Sequence, residues 1–156
     1  MTLKTVKAIL DYQFGDNVGS KFIEEYKDRI KIEISKKTNR IRRIFVDDKL
    51  FGTVEPTTGF IILSYFGGLI VKKYLRYPKY RVVIADEAIP FVEMGKSVFC
   101  KFVLEVDYNI LPNDIVLVVD RNDNLIAVGV SLLSAKEIKE FKRGVAVKIK
   151  DARAFH

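Results

Sequence analysis

An apolar residue recurs at helical spacing in two stretches near the start of the chain. Val18, Phe22 and Tyr26 repeat every four positions, which predicts an amphipathic helix that begins near Asp16, a residue type suited to an N-cap. The same spacing over residues 2–10 predicts an earlier short helix confined to that range. The chain is therefore expected to open on two short helices, each with one apolar face.

After these helices, apolar and polar residues alternate along the chain, which predicts an antiparallel sheet. Polar turns separate four segments of strand character, at residues 30–34, 41–46, 49–55 and 60–64. Helical spacing returns at residues 69–74, and Pro78 disfavours a helix that continues up to it. Residues 1–78 are therefore predicted to form a small α+β domain with a four-stranded antiparallel sheet.

Short strands dominate the second half as well, with two brief helical segments between them. The predicted strands cover residues 80–85, 98–106, 115–119, 125–133 and 145–149. A short helix is expected between the first two, with Gly95 at its end. Ser134 and Glu137 form a capping box for a second helix, which Gly144 is expected to end. Many short strands with few helices predict a small β barrel over residues 79–156.

Composition narrows the function classes. The chain of 156 residues has a net charge of +7, of which residues 1–78 carry +6 and residues 79–156 carry +1. A basic balance favours an anionic partner, and nucleic acid is the usual one. The alternative is a solvated charged surface without a partner. The longest apolar runs are too short to span a membrane, and no secretory leader is visible, so a cytoplasmic location is expected.

Residue types that catalysis needs are sparse. His156 is the only histidine and Cys100 the only cysteine, so neither a nucleophilic pair nor a structural zinc site is predicted. The adjacent carboxylates Asp47-Asp48 and Asp86-Glu87 lie at predicted turns or helix starts, where acids are ordinary caps. No phosphate-binding loop or dinucleotide motif is present. The sequence therefore predicts no metal, no cofactor and no enzymatic activity.

A cluster of cations marks the first predicted hairpin. Five basic residues fall within eight positions: Lys36, Lys37, Arg40, Arg42 and Arg43. A hairpin that projects from a sheet can lay several cations against a phosphate backbone. Arg42 and Arg43 are neighbours on a strand and are expected to point to opposite faces, so the five cannot all meet one ligand. The alternative is a solvated hairpin tip. The aromatic residues of this half are expected in the core: Tyr12, Phe14, Phe22 and Phe51.

The turn after the short helix of the second half is another candidate. Gly95, Lys96 and Ser97 combine a glycine that permits close backbone approach, N–H groups without side-chain cover, and a cation. Such a turn suits a phosphate or the end of a nucleic-acid strand. The alternative is that Gly95 only caps the helix.

The succession of strand, short helix, strand, hairpin, capped helix and strand over residues 80–153 resembles the PUA domain, a small pseudo-barrel found on RNA-modifying enzymes. Further segments extend the likeness to nearly the whole chain: Asp11-Tyr-Gln-Phe-Gly15, Ser35-Lys-Lys-Thr38 with Arg40 to Arg43, Tyr77-Pro-Lys-Tyr80-Arg-Val-Val83 and Val98-Phe-Cys-Lys-Phe-Val103. With them the chain resembles the C-terminal part of archaeal tRNA-guanine transglycosylase, the archaeosine enzyme.

The resemblance implies an RNA-facing surface and a division of labour. In PUA domains the first short helix, its glycine loop and the neighbouring strands usually face RNA, and in the archaeosine family this unit grips the acceptor end of tRNA. The matching positions are Gly95, Lys96, Ser97 and Lys101, followed by Lys142, Arg143 and Lys148. Base exchange in that family belongs to a separate barrel domain with catalytic aspartates and zinc, which is not found here. The implied role is a non-catalytic tRNA-binding accessory or split subunit, whose partner is a catalytic transglycosylase subunit.

Two other functions stay open at this point. A free PUA module also fits a ribosome-assembly or translation accessory factor. An enzyme that uses carboxylates at the junction of the two halves would need a carboxyl group of strongly raised pKa in a deep pocket, and nothing in the sequence demands one. The sequence predicts no particular oligomeric state.

Overall fold

Helices flank one antiparallel sheet in the first unit of the chain, which ends at Leu75. The computed structural model describes residues 2–156. The elements of this unit are α1 (Thr2–Phe14), α2 (Val18–Tyr26), β1 (Ile30–Ile34), β2 (Ile41–Val46), β3 (Lys49–Val54), β4 (Ile61–Leu63) and α3 (Tyr65–Tyr74). The strands lie in sequence order and each is antiparallel to the next. The predicted α+β unit with a four-stranded antiparallel sheet is confirmed.

The core of this unit is formed by the apolar faces of the helices and one face of the sheet. Phe14, Phe22 and Phe51 are fully buried, and the rings of Phe22 and Phe51 stack with centroids 4.3 Å apart. Tyr12 is different: 80% of it is exposed, and its ring lies 6.1 Å from that of Phe60. The expectation that Tyr12 belongs to the core is wrong, because it lies on the outer face of α1.

The junction between α1 and α2 departs from the sequence pattern. Helix α1 continues to Phe14, beyond the predicted range 2–10. The Asp11 carboxylate accepts hydrogen bonds from the backbone N–H groups of Gly19 (2.7 Å) and Ser20 (3.3 Å), so it caps the next helix from a distance. The prediction that Asp16 is the N-cap of α2 is wrong, because Asp16 lies in the left-handed region with φ of 51° and helix α2 begins only after Asn17.

Arg76–His156 form the second unit, a six-stranded sheet with two short helices. Its elements are β5 (Arg81–Ile84), α4 (Ile89–Val92), β6 (Val98–Phe99), β7 (Val103–Val106), β8 (Ile115–Val119), β9 (Leu125–Ser131), α5 (Ala135–Glu140) and β10 (Val145–Ala152). The strand order is β6-β10-β9-β8-β5-β7, and only the β5–β8 pair is parallel among these strands. No helix within residues 2–156 is both long and apolar enough to cross a bilayer.

The segment between residues 98 and 106 closes this sheet. The predicted single strand is wrong: β6 and β7 are separate strands at opposite edges, joined by a 3-10 turn over Cys100–Phe102. A flat sheet of six strands would separate its edges by about 24 Å. The chain from Phe99 to Val103 spans at most about 14 Å. The sheet must therefore curl until its edges approach, which gives the nearly closed barrel expected from the sequence.

The last helix begins as predicted and ends earlier. The Ser134 hydroxyl accepts a hydrogen bond from the Glu137 N–H (3.2 Å), and the Glu137 carboxylate accepts one from the Ser134 N–H (2.9 Å). This capping box lowers the pKa of Glu137. Helix α5 ends at Glu140, where the Phe141 N–H bonds back to the Glu137 carbonyl. Gly144, with φ of 99°, does not end the helix but turns the chain into β10.

Candidate nucleic-acid interface

The cationic hairpin of the first unit is the turn between β1 and β2. Lys36, Lys37 and Arg40 are exposed on this turn, and none of the three has an ion-pair partner among residues 2–156. The turn is held by backbone hydrogen bonds from Asn39 N–H to the Ser35 carbonyl (2.8 Å) and from Ser35 N–H to the Arg40 carbonyl (2.8 Å). The structure therefore presents three unpaired cations on a fixed turn.

Arg42 and Arg43 form a separate group on β2. The Arg43 guanidinium donates two hydrogen bonds to Glu33 Oε1, at 3.1 and 2.8 Å, and Arg42 Nη1 lies 3.8 Å from the same oxygen. The expectation that these side chains diverge is wrong for their charged ends, because long side chains let both reach one carboxylate. Glu33 therefore compensates part of the charge on β2, and it leaves the three cations of the turn without a partner.

A groove runs between this turn and the β3–β4 turn at the same end of the sheet. Its volume is about 250 Å³, and Arg40, Arg42, Ser35 and Thr38 contribute polar groups to its lining. Glu55 also lines it, but its carboxylate accepts hydrogen bonds from the backbone N–H groups of the β3–β4 turn, which lower its pKa. Guanidinium and hydroxyl groups around one groove suit a phosphate ligand.

The glycine turn of the second unit is a helix cap. Gly95 has φ of 92°, its N–H donates to the Val92 carbonyl (2.9 Å), and the Lys96 N–H donates to the Phe91 carbonyl (3.1 Å). The expectation of uncommitted N–H groups is therefore wrong for these two residues, because both bonds close the end of the helix. A Cβ at position 95 would lie 2.9 Å from the ring of Phe155, which covers the glycine.

An apolar cavity of about 270 Å³ adjoins this turn. Lys96 and Ser97 are the polar residues in its lining, and the rest is apolar: Ala88, Phe91, Val92, Val98, Phe99 and Phe102. Phe91 and Phe99 are exposed, so the cavity opens to solvent between aromatic rings. A flat apolar group fits such a cavity, and the lysine at its rim can bind an attached anion.

A larger cavity of about 520 Å³ brings together two of the predicted cations, Lys101 and Lys142, and adds Lys139. The crossover 98–103 contributes residues to both this cavity and the apolar one. Lys101 lies in the 3-10 turn and not in the strand expected from the sequence. Glu105 is the acid in the lining, and it accepts a hydrogen bond from the Tyr77 hydroxyl (2.8 Å).

The remaining predicted cations lie outside these two linings. Arg143 is exposed just before Gly144, whose carbonyl accepts the Cys100 N–H (3.0 Å). Lys148 is exposed on β10 opposite Val130. The structure thus supports Lys101 and Lys142 as neighbours, whereas Arg143 and Lys148 extend the charged surface without sharing the cavity.

Groups that could carry covalent or metal chemistry are few in the described part of the chain. Residues 2–156 contain no cluster of three histidine, cysteine or carboxylate residues able to hold a metal ion. Cys100 is buried, and burial raises the pKa of its thiol, which keeps it in the less reactive form. His156 Nε2 lies 2.7 Å from Asp151 Oδ2.

Comparison with protein families divides the chain between two domains. Residues 4–78 match the patch-forming domain C2 of tRNA-guanine transglycosylase, and residues 80–152 match the PUA domain. The chain joins a transglycosylase C2 domain to a PUA domain. This pairing corresponds to the C-terminal region of the archaeal enzymes that it resembles.

Relatives named tRNA-guanine(15) transglycosylase match along almost all of the C2–PUA chain. The protein from Methanosphaera stadtmanae is 46% identical over 140 residues, which are 90% of this chain and 21% of that protein. The protein from Thermococcus kodakarensis is 42% identical over 147 residues, which are 94% of this chain and 24% of that protein. The C2–PUA chain therefore spans between a fifth and a quarter of the length of these relatives.

Solved structures share the fold of the C2–PUA chain. A hypothetical protein from Pyrococcus horikoshii OT3 superposes with a TM-score of 0.72 at 25% identity, covering 96% of this chain and 89% of that chain. A PUA domain protein from Thermoplasma acidophilum gives a TM-score of 0.59 at 19% identity, with 88% and 89% covered. Both comparisons extend over the two units and not only over the PUA half.

Proposed function

We propose that the C2–PUA chain is a non-catalytic tRNA-binding module that holds tRNA for a catalytic transglycosylase partner. The observation that carries this proposal is the match of both domains, along 90% and 94% of the chain, to enzymes named for their action on tRNA. The matched length is only 21% and 24% of those enzymes, and the rest of them has no counterpart in residues 1–156. Binding is therefore the shared property that these two domains suit best.

The charges of each unit support RNA as the ligand. Arg40 and the two lysines beside it extend from the hairpin of the first unit, and Lys101 and Lys142 face one cavity in the second. Cations on two surfaces suit a ligand with phosphates spread over its length. The apolar cavity beside Lys96 suits an unpaired base at an RNA end, in line with the acceptor-end role implied by the family.

The first test is the salt dependence of binding. Neutralisation of about three to five phosphates predicts that tRNA affinity falls about twenty- to five-hundredfold between about 50 and 200 mM salt. A surface that recognises RNA shape and 2′-hydroxyls should also bind tRNA better than duplex DNA of equal length. Titrations of both nucleic acids at several salt concentrations measure this. Equal affinity for tRNA and duplex DNA would mean that binding is non-specific electrostatic attraction to phosphates.

The division of labour is tested with the same preparation. Incubation of the purified chain with tRNA and labelled guanine should give no incorporation, and incorporation by the chain alone would contradict a non-catalytic role. Capture of a catalytic transglycosylase subunit and tRNA from native extract supports the proposal. Capture of ribosomal proteins with ribosomal RNA favours the ribosome-assembly alternative instead.

Gly95→Ala and Gly95→Glu form a matched pair at the glycine turn. Both place a Cβ at φ of 92° and 2.9 Å from the Phe155 ring, so both should lower the free energy of unfolding by about 1 kcal/mol. Only the glutamate adds a charge that repels phosphate. We expect Gly95→Glu to bind intact tRNA about tenfold more weakly than Gly95→Ala does.

The tRNA trimmed at its 3′ end is the control for this pair. If the turn faces the acceptor end, the difference between the two variants should disappear with trimmed tRNA. Melting temperatures, measured alongside, show whether both variants are equally folded. If the two variants differ in affinity equally for intact and trimmed tRNA, or bind either tRNA equally well, Gly95 is only a helix cap and does not face the acceptor end.

A further inference from the structure

The exposed side of α5 carries two lysines, Lys136 and Lys139, that are not among the positions implied by the PUA resemblance. Lys136 and Lys139 are three residues apart on the helix and therefore lie on the same side, and Lys142 follows at the same spacing just beyond its end. All three are exposed, and none has an ion-pair partner among residues 2–156. The sequence shows the spacing of these lysines, but it does not show which residues lie next to them in the fold.

Tyr108 lies beside this row of lysines. It is 81% exposed, and Lys139 Nζ lies 5.4 Å from the centre of its ring. The loop that holds it is fixed by Asp107, whose carboxylate accepts hydrogen bonds from the Tyr80 N–H (2.7 Å) and the Asn109 N–H (3.1 Å). An aromatic ring is thus held in solvent by a braced loop, next to a cation.

Two cavities share Lys139 and extend the site along the helix. One, of about 260 Å³, is lined by Tyr108, Lys136, Lys139, Ala135 and Glu140. The other is the cavity of about 520 Å³ with Lys101, Lys139, Lys142 and Glu105 in its lining. Four lysines and two glutamates therefore line the two cavities, so the site is cationic overall. The Tyr77 hydroxyl already donates to Glu105.

We propose that this α5 site binds an unpaired nucleotide of the RNA, with its base stacked on Tyr108 and the flanking phosphates bound by Lys136 and Lys139. The proposal rests on the proposed function, because it assigns a further contact to the same ligand. An exposed ring beside several cations is the combination that binds single-stranded nucleic acid, since the ring stacks with a base and the cations bind the backbone. A protein partner is less suited, because a row of unpaired lysines would have to be desolvated in the interface.

The α5 site is separate from the glycine turn. The cavity beside Gly95 is lined by residues of α4 and the crossover, and it shares no lining residue with the cavities beside α5. Two separate sites in one unit would hold two different parts of an RNA. A base that stacks on Tyr108 must be out of its helix, so the α5 site distinguishes a loop, bulge or end from a continuous duplex.

Tyr108→Ala and Tyr108→Phe test the stacking contact in the full chain. The alanine variant should bind tRNA about five- to a hundredfold more weakly, which is the usual effect of removing one aromatic platform. The phenylalanine variant keeps the ring and should bind within about twofold of the parent. Because the residue is exposed, neither change should alter the melting temperature appreciably. Lys139→Gln should flatten the dependence of log affinity on log salt by about 0.7 to 0.9.

The outcomes separate this proposal from the proposed function. If the parent chain binds no tRNA, both are wrong. If the parent binds and Tyr108→Ala binds equally well, only the α5 site is wrong, and the same holds if Tyr108→Phe loses as much affinity as Tyr108→Ala. Irradiation of the complex with tRNA containing 4-thiouridine should cross-link the peptide that contains Tyr108, and a cross-link confined to other peptides contradicts the contact.

Discussion

Gly19→Ala should lower the free energy of unfolding by about 3 kcal/mol or more. An added Cβ would lie 2.1 Å from the carbonyl oxygen of Lys7, which is well inside the contact distance of two atoms. The obstacle is the backbone of α1, so the overlap is relieved only if the two helices separate. Separation would also stretch the hydrogen bond from the Gly19 N–H to Asp11. Thermal unfolding should show a fall in melting temperature of roughly 12 °C or more.

Gly59→Ala is the matched control in the same unit. Gly59 has φ of 75°, and an added Cβ would meet nothing within 4 Å. This variant has only the strain of a left-handed alanine, about 1 kcal/mol. Gly19 is not in the left-handed region, so the cost of the close approach of α1 and α2 is the difference between the two variants plus this strain. Equal melting temperatures would show that the helices can move apart at little cost.

The strands were predictable because local pattern and final structure agree. Strict alternation at Ile30, Ile32 and Ile34 predicts β1 with its observed bounds, although Ile30 and Ile32 are only half-buried and Ile34 is exposed. The capping box at Ser134 and Glu137 was readable for the same reason, since a cap is made by residues three apart in the chain. Features of this kind depend on few residues and short distances.

Features that depend on residues distant in the chain could not be predicted from the sequence. The segment 98–106 has the apolar content of a long strand, but where it changes partners depends on the closure of the whole sheet. The cap that Asp11 provides acts across a helix junction, eight residues away from Gly19. An aromatic residue in a helical stretch usually packs inside, which predicts Tyr12 in the core, whereas its side of α1 faces outward.

The candidate interface shows the same division. The sequence predicts the cluster of cations at the hairpin, but it does not predict their ion-pair partners. Arg42 and Arg43 pair with Glu33, whereas the three cations of the turn have no ion-pair partner among residues 2–156. Lys139 and Tyr108 come together only because the loop after β7 passes beside α5. A list of basic residues therefore predicts the sign of a surface, and the fold decides which of those residues share a ligand.

The variant with Lys36, Lys37 and Arg40 all changed to Gln should bind tRNA about five-hundredfold or more weakly at about 50 mM salt, and about thirtyfold more weakly at about 200 mM. These three cations have no ion-pair partner among residues 2–156, so each is available to a phosphate. Loss of three phosphate contacts should flatten the dependence of log affinity on log salt by about two to three units. The residues are exposed, so the free energy of unfolding should change by less than about 0.5 kcal/mol per substitution. Titrations at several salt concentrations give both quantities.

A second triple variant, with Lys27, Lys31 and Lys49 changed to Gln, separates local contact from net charge. It removes the same charge from the opposite end of the same sheet, where Lys31 pairs with Asp48 at 3.4 Å. Exposed ion pairs of this kind add little to stability, so the control should fold as the parent does. If the hairpin touches RNA, the control keeps most of the affinity and of the salt slope. If the two triple variants lose equal tRNA affinity, binding depends on the overall charge of the first unit, and the hairpin is not part of the interface.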